Sequence, residues 1–454
     1  MHISRYHFSC AALIATLLVS NSAIVTAAAS VPASAVVPVQ RDAAEFMPRG
    51  GLPNVMAKLS KGEPVTISYL GGSITAQNGW RVFSRDWLQK KYPNAKITGI
   101  HAAIGGTGSD LGVFRVEKDA LTAKPDLLFV EFAVNDAGAP NDRIVKGMEG
   151  IVRKTWRLLP TTDICFVYTV TFRDSPDLGN GKMKRSTSMM EAVADYYGIP
   201  SINMGLEVAR MEKAGKLIMK SDDAPVTRVS GDELNESAQL GTDAQGRIIF
   251  SKDGVHPYPE TGHVLYMQAL TRSFEKLPGV GAVGAHALIE PLSSDNWEAA
   301  VQFKLNEGPS LTGPVTKLQS RDGGVAQQFA ARMSPLWQLE PGASLSFKFK
   351  GTKVSIYDII GPDGAMLEIT VDGKSYQAAR FDGYCTYHRL STLGIADNMP
   401  DTVHEVSIKV LADKPDKAGI LFDRNKADLE KSPAKYEPTL WYAGAVFIVG
   451  ELVK

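Results

Sequence analysis

The sequence predicts an α/β protein, a mainly parallel sheet covered by helices on both faces, followed by a second unit made only of β-strands. Three observations carry this. Apolar runs at 125–134, nearly continuous, and 163–171 are the mark of strands buried on both faces, and a β-branched run at 65–71 adds a further strand. They alternate with stretches of helical spacing, and parallel neighbours require such crossover connections. After Pro278 the pattern changes to short alternating runs separated by turn residues, as expected for an antiparallel sandwich or jelly roll.

At 454 residues the chain exceeds one comfortable core, and its 44% hydrophobic and 22% charged residues are those of an ordinary globular protein. Lys plus Arg, 49, balance Asp plus Glu, 49. No overall field gathers nucleic acid or an acidic membrane surface, so partners are recognised locally. Arg5 among two histidines, the apolar run 11–19 and the small residues up to Ala29 read as a signal peptide over 1–29. Its apolar core is too short to span a bilayer, and no other stretch reaches that length, so a periplasmic or secreted protein is expected. Residues 30–50 read as a leader, 51–280 as the α/β unit and 281–454 as the β unit. Removal of the signal leaves Cys165 and Cys385, too few for a disulfide framework although one bond is permitted. Nothing in the sequence sets the oligomeric state.

Each element has its own signal. A short helix begins at Pro53, a favourable first helical residue. The strand at 65–71 ends in Gly71-Gly-Ser-Ile-Thr75 and leads into a helical pattern over 77–91, with Val82, Phe83, Trp87 and Leu88 at helical spacing. A second strand over 95–104 closes on Gly105-Gly-Thr-Gly108, and a helix over 109–123 leads to the third strand, 125–134. Helices are expected at 144–159, 184–197 and 260–276, and strands at 163–171 and 199–203. Residues 216–252 form a long polar stretch with one apolar island at Ile248-Ile-Phe250, which reads as a functional loop or small insertion. In the β unit, 344–350, 353–357, 366–372, 404–411 and 443–449 read as strands.

Ser73 is the residue to which the rest answers. A serine at a strand-turn-helix junction is held out at the carboxyl end of a sheet, where α/β proteins place their chemistry. It needs a base, and a histidine oriented by a carboxylate is the common arrangement. Of eight histidines, two precede the cleavage region, His101 ends a strand, His263 lies on a helix, and His286, His388 and His404 lie beyond the first unit. His256, three residues after Asp253 in a loop before a helix, is the best-placed base. The plain alternative is a helix-capping Asp253 beside a surface histidine. Gly106 and Asn135, after the second and third strands, offer a backbone amide and a carboxamide for an oxyanion, although each also suits an ordinary turn.

Gly71-Gly-Ser-Ile-Thr75, the glycine after Ala103-Ile-Gly, Val134-Asn-Asp136 and Asp253-Gly-Val-His256 resemble the four blocks of the SGNH, or GDSL-like, hydrolases, in that family's order. The resemblance covers about residues 52–276. It implies a flavodoxin-like α/β/α sandwich, with Ser73 as nucleophile, His256 as base, Asp253 as its orienting acid, and an oxyanion hole formed by the Ser73 and Gly106 amides and the Asn135 side chain. Two departures stand out: Gly72 replaces the aspartate of the GDSL block, and Ala133-Val134 replace the usual glycines before Asn135. Choosing Gly106 over Gly105 rests on spacing.

More narrowly, the Gly-Gly-Ser-Ile-Thr form, the long loop and the carboxyl-terminal β unit resemble exported carbohydrate esterases of the acetyl xyloglucan type. The implied activity is removal of O-acetyl groups from a plant-type oligo- or polysaccharide, with no metal or organic cofactor. Two alternatives remain: a general short-chain or lipolytic ester hydrolase using the same residues, and a carbohydrate-binding protein without significant esterase activity. For the latter, Trp297, Trp337, Tyr357, Tyr384 and Tyr387 are candidate sugar-stacking faces, core packing being the competing role. Gly361-Pro-Asp-Gly364 is a candidate substrate wall.

Overall fold

The computed structural model describes residues 31–35, 40–221 and 241–453. The expected signal peptide and residues 222–240 of the polar loop lie outside the described residues. Six strands build the first sheet: β1 (Phe46–Met47), β2 (Val65–Gly71), β3 (Ile97–Ala103), β4 (Leu127–Glu131), β5 (Asp163–Tyr168) and β6 (Ser201–Asn203). Their order is β1-β6-β5-β4-β2-β3, and every neighbour is parallel except β1, which runs antiparallel to β6. The first parallel strand, β2, thus lies between the second and the third, which is the doubly wound flavodoxin-like order. In such sheets the crevice at the strand-order reversal, beyond the carboxyl ends, receives the ligand. Here it lies between β2 and β4, where Gly71 pairs with Glu131.

The continuous apolar runs proved to be central strands: β4 and β5 are buried at every position. β3 forms the edge of the sheet, and its burial is interrupted accordingly. Three expectations needed adjustment. The helix expected from Gln77 starts only at Trp80, after a one-turn helix, Ser73–Ala76. The break falls where Gly79 packs so tightly on the His263 ring that no side chain fits. The helix expected over 109–123 runs from Ser109 to Val116 and then widens into a π-turn, Glu117–Leu121. The segment read as a leader is stitched into the fold: it carries β1, and further upstream the Ala33 amide donates to Asp295 at 2.8 Å.

The second unit is an antiparallel all-β sheet of ten strands, from Ala300–Lys304 to Trp441–Val453. What the sequence divides at Gly351 is one 17-residue strand, Ser344–Ile360. Gly351 faces Gly450 across a register shift, and a side chain at 351 would lie 2.9 Å from the Gly450 Cα. The absence of side chains on both strands lets the backbones approach and bend without ending the pairing.

The two units share a hydrophobic core. Phe114 of the helix Ser109–Val116 stacks on Phe447 of the second unit, centroids 4.8 Å apart, and Phe447 stacks on Tyr357 at 5.1 Å. Trp297, Met333 and Tyr442 join the same cluster as Val113, Ile151 and Trp156. Each such side chain stabilises by about 1.5–3 kcal/mol when fully buried, so separating the units exposes a large apolar face. Trp297 and Tyr357 are therefore core residues, not sugar platforms, whereas Tyr384 and Tyr387 are exposed. The loop at 361–364 is held within the β unit, because Asp363 accepts from Tyr442 at 3.0 Å and pairs with His388 at 2.8 Å. Cys165 and Cys385 are both buried and free, in separate clusters. Among the described residues no helix is long and apolar enough to cross a membrane.

Candidate active site

Ser73 begins the one-turn helix immediately beyond β2, and its amide is among the first helical N–H groups, which have no partner inside a helix. Its hydroxyl lies 2.8 Å from Nε2 of His256. On the other side of the ring, Nδ1 lies 2.7 Å from Oδ2 of Asp253. A carboxylate only accepts, so Nδ1 carries the proton and donates, leaving Nε2 to accept from the serine hydroxyl. Three residues separated by 183 positions thus form one line of hydrogen bonds.

The loop that presents Asp253 and His256 is built for this. The amides of Val255 and His256 donate to Asp253 Oδ1 at 2.9 and 2.8 Å. Gly254 makes the turn in the left-handed region, φ +81°, and its amide donates to Ser251 Oγ at 2.7 Å. Burial alone would raise the Asp253 carboxyl, but the bond to the His256 ring and those two amides outweigh it and hold the acid below its usual range. The carboxylate therefore stays charged to face the imidazole.

The other two expected loops also meet at Ser73. The Ile104 amide donates to Gly71 O at 3.0 Å, so the turn after β3 folds back over the end of β2. A Cβ placed on Gly105 would lie 3.6 Å from the Ser73 Cβ, and Gly106 follows in the left-handed conformation, φ +74°. Asn135 opens the short helix after β4, and its carboxamide lies against Gly72 with no room between them for even a methyl group. Asn135 thus fills the place the aspartate side chain of the GDSL block would need. The structure brings Ser73, Asp253, His256, the Gly105–Gly106 turn and Asn135 to one place.

Several residues that the sequence does not single out hold this arrangement. Glu131, the last residue of β4, is fully buried. It accepts from the Thr75 hydroxyl at 2.9 Å and the Thr169 hydroxyl at 2.8 Å, and also from the Gly72 amide. One carboxyl therefore ties the serine turn to the ends of β4 and β5, and burial pushes its pKa up. Arg115, also buried, donates to the carbonyls of Ala102 and, at 3.1 Å, Gly71, so it fixes the ends of β2 and β3. From the second unit, Arg332 reaches the Ala103 carbonyl at 3.2 Å. The visible signal for Glu131 is a lone charge closing an otherwise apolar strand.

His263 joins the two halves of the site. The Trp80 amide donates to its Nδ1 at 3.1 Å, so Nε2 carries the proton and donates to Gln77 Oε1 at 3.2 Å. Gln77 in turn donates to the carbonyl of Pro257, next to His256, at 3.3 Å. Burial, and then the neighbouring His256, push His263 down to about 3. Unfolded, it would titrate at about 6.5, so between those values the unfolded chain takes up a proton that the folded chain refuses, and stability falls as pH drops through that window. Asp136 has the opposite sign: burial pushes it up to about 7, so the folded state holds a proton the unfolded state has released. That contribution cancels when a variant is compared with the parent. H263Q is accordingly expected to flatten the fall in melting temperature between about pH 7 and pH 4. An unchanged slope would show that His263 does not stay neutral.

Fold and site together place the chain in the class of carboxylic ester hydrolases. Residues 69–260 match the model of the GDSL-like Lipase/Acylhydrolase family, a stretch that lies within the α/β unit. No curated protein matches the chain. Among solved structures, a two-domain esterase (CEX) active on acetylated mannans, co-crystallized with mannopentaose, is similar with a TM-score of 0.65 and 21% identity, over 90% of this chain and 98% of its own. A second structure of such an esterase gives 0.63 and 21% over 87% and 94%. Axe2, an acetyl xylan esterase from Geobacillus stearothermophilus, matches 49% of this chain and 97% of its own at 17% identity and a TM-score of 0.33. At 90% and 87% of this chain, the matches to these two-domain structures extend over both of its units.

Proposed function

We propose that this protein is an exported serine esterase that removes O-acetyl groups from a plant-type polysaccharide, a hemicellulose such as xyloglucan or an acetylated mannan, through an acetyl-enzyme. The observation that carries the proposal is the hydrogen-bonded line Asp253, His256, Ser73 at the reversal point of the sheet. His256 accepts the Ser73 proton as the hydroxyl oxygen attacks the acetyl carbonyl. The charge that develops on the carbonyl oxygen is met by the amides of Ser73 and Gly106 and the carboxamide of Asn135. His256 then gives that proton to the sugar oxygen as its bond to the acetyl carbon breaks, so the sugar leaves as a free hydroxyl, and water repeats the sequence on the acetylated serine. Asp253 keeps the ring in the required tautomer and stabilises the imidazolium.

In this reading residues 1–29 are removed on export, 51–280 form the hydrolase unit and 281–454 the accessory unit. An acetylated carbohydrate substrate is in keeping with the architecture shared with an esterase active on acetylated mannans. Acetate release measured over a panel of acetylated mannan, xylan and xyloglucan is the test. Release from at least one polymer, with a steep decline on p-nitrophenyl esters longer than acetate, is expected. No release from any polymer, together with preference for longer acyl chains, would favour a lipolytic hydrolase. Glycan retention without any hydrolysis would favour a binding protein.

A further inference from the structure

We infer that Phe172 is a substrate platform beside the acid-base loop, holding the C–H face of a pyranose of the acetylated chain; the inference rests on the esterase reading above. Phe172 follows the end of β5, and its amide donates to the Gly254 carbonyl at 2.8 Å. The ring packs on the backbone of Gly254, between Asp253 and His256, where a Cβ on residue 254 would come within 2.6 Å of it. The absence of a side chain at 254 is what seats the ring. Even so, 41% of Phe172 is left in water.

One exposed phenyl carries little by itself, since single apolar residues are common on protein surfaces. Its setting supplies the rest. The turn that carries it is fixed: the Ser175 amide donates to Thr171 O at 3.0 Å, the Thr171 hydroxyl to Asp174 at 2.8 Å, and Lys184 pairs with the same carboxylate at 2.9 Å. The Arg173 guanidinium braces the ring at 5.5 Å from its centroid. The result is a rigid, partly open aromatic surface in contact with the very loop that holds the base. A pyranose offers two different surfaces, hydroxyls at its edge and C–H groups on its faces. The faces pack on an aromatic ring while the hydroxyls stay in water. A small aryl ester has no such second ring to place there.

The test compares F172A and F172W with the parent on an acetylated hemicellulose oligosaccharide and on p-nitrophenyl acetate. In F172A the ratio of kcat/KM on the oligosaccharide to that on p-nitrophenyl acetate should fall about tenfold, through KM, and F172W should restore it. An unchanged ratio in F172A would overturn the platform. So would an equal fall on both substrates, which would mean that the ring acts only by supporting the Asp253–His256 loop. If the parent itself releases no acetate from the oligosaccharide, the esterase reading fails instead, and the two failures are distinct.

Discussion

Ser73→Ala releases acetate at least about ten-thousandfold more slowly than the parent, with the fold unchanged. The expectation follows from what the hydroxyl does and does not hold. Its bond in the structure goes to His256 Nε2. The serine turn is secured by other groups: Glu131 on Thr75 and the Gly72 amide, and Arg115 on the Gly71 carbonyl. Removing the hydroxyl therefore removes the nucleophile without loosening its support. Circular dichroism and melting temperature should match the parent, while hydrolysis of p-nitrophenyl acetate nearly vanishes. A rate close to that of the parent would assign the chemistry to another residue.

Gly72→Ala is expected to cost on the order of a hundredfold in kcat, the effect of losing one oxyanion donor. The backbone at Gly72, φ −91° and ψ −154°, is open to any residue, so conformational strain is not the reason. The reason is space: an added methyl would overlap the Asn135 carboxamide oxygen and lie 2.9 Å from its Cγ. The carboxamide must swing away. If the loss comes from that displacement, Gly72→Ala combined with Asn135→Ala should be no slower than Asn135→Ala alone, because residues acting as one unit are not additive. A fully multiplicative double variant, or a single variant at the parental rate, would contradict this account. Gly72→Asp, which installs the residue of the GDSL block, is expected to fail for the same reason.

The order of the loops was legible in the sequence because parallel α/β topology leaves little freedom. Strand ends at Gly71, Ala103 and Glu131 lie in register, so the residues just beyond them meet whatever the details. Asp253 and His256 were legible because three positions of one loop suffice to join a carboxylate to a ring. The supporting residues were not. His263 reads as one more helical residue, and only the packing of Gly79 on its ring reveals that it ties the serine segment to Pro257 through Gln77. Arg115 has no signal of its own within the helical stretch 109–123, yet it is buried and donates to two strand ends. The shared core was also hidden, because an apolar residue such as Phe114 or Phe447 carries no label for the unit it packs against. Likewise Gly351 reads as a strand end, and only its pairing with Gly450 shows one strand that bends.

Hydrolysis by this mechanism requires that Ser73 become acetylated. The most direct measurement is peptide mapping by mass spectrometry after rapid acid quenching of the protein mixed with p-nitrophenyl acetate. One acetyl group on the peptide containing Ser73, lost on further incubation at neutral pH and never formed in Ser73→Ala, is the predicted result. Acetylation of a different residue that turns over at the rate of hydrolysis would contradict it.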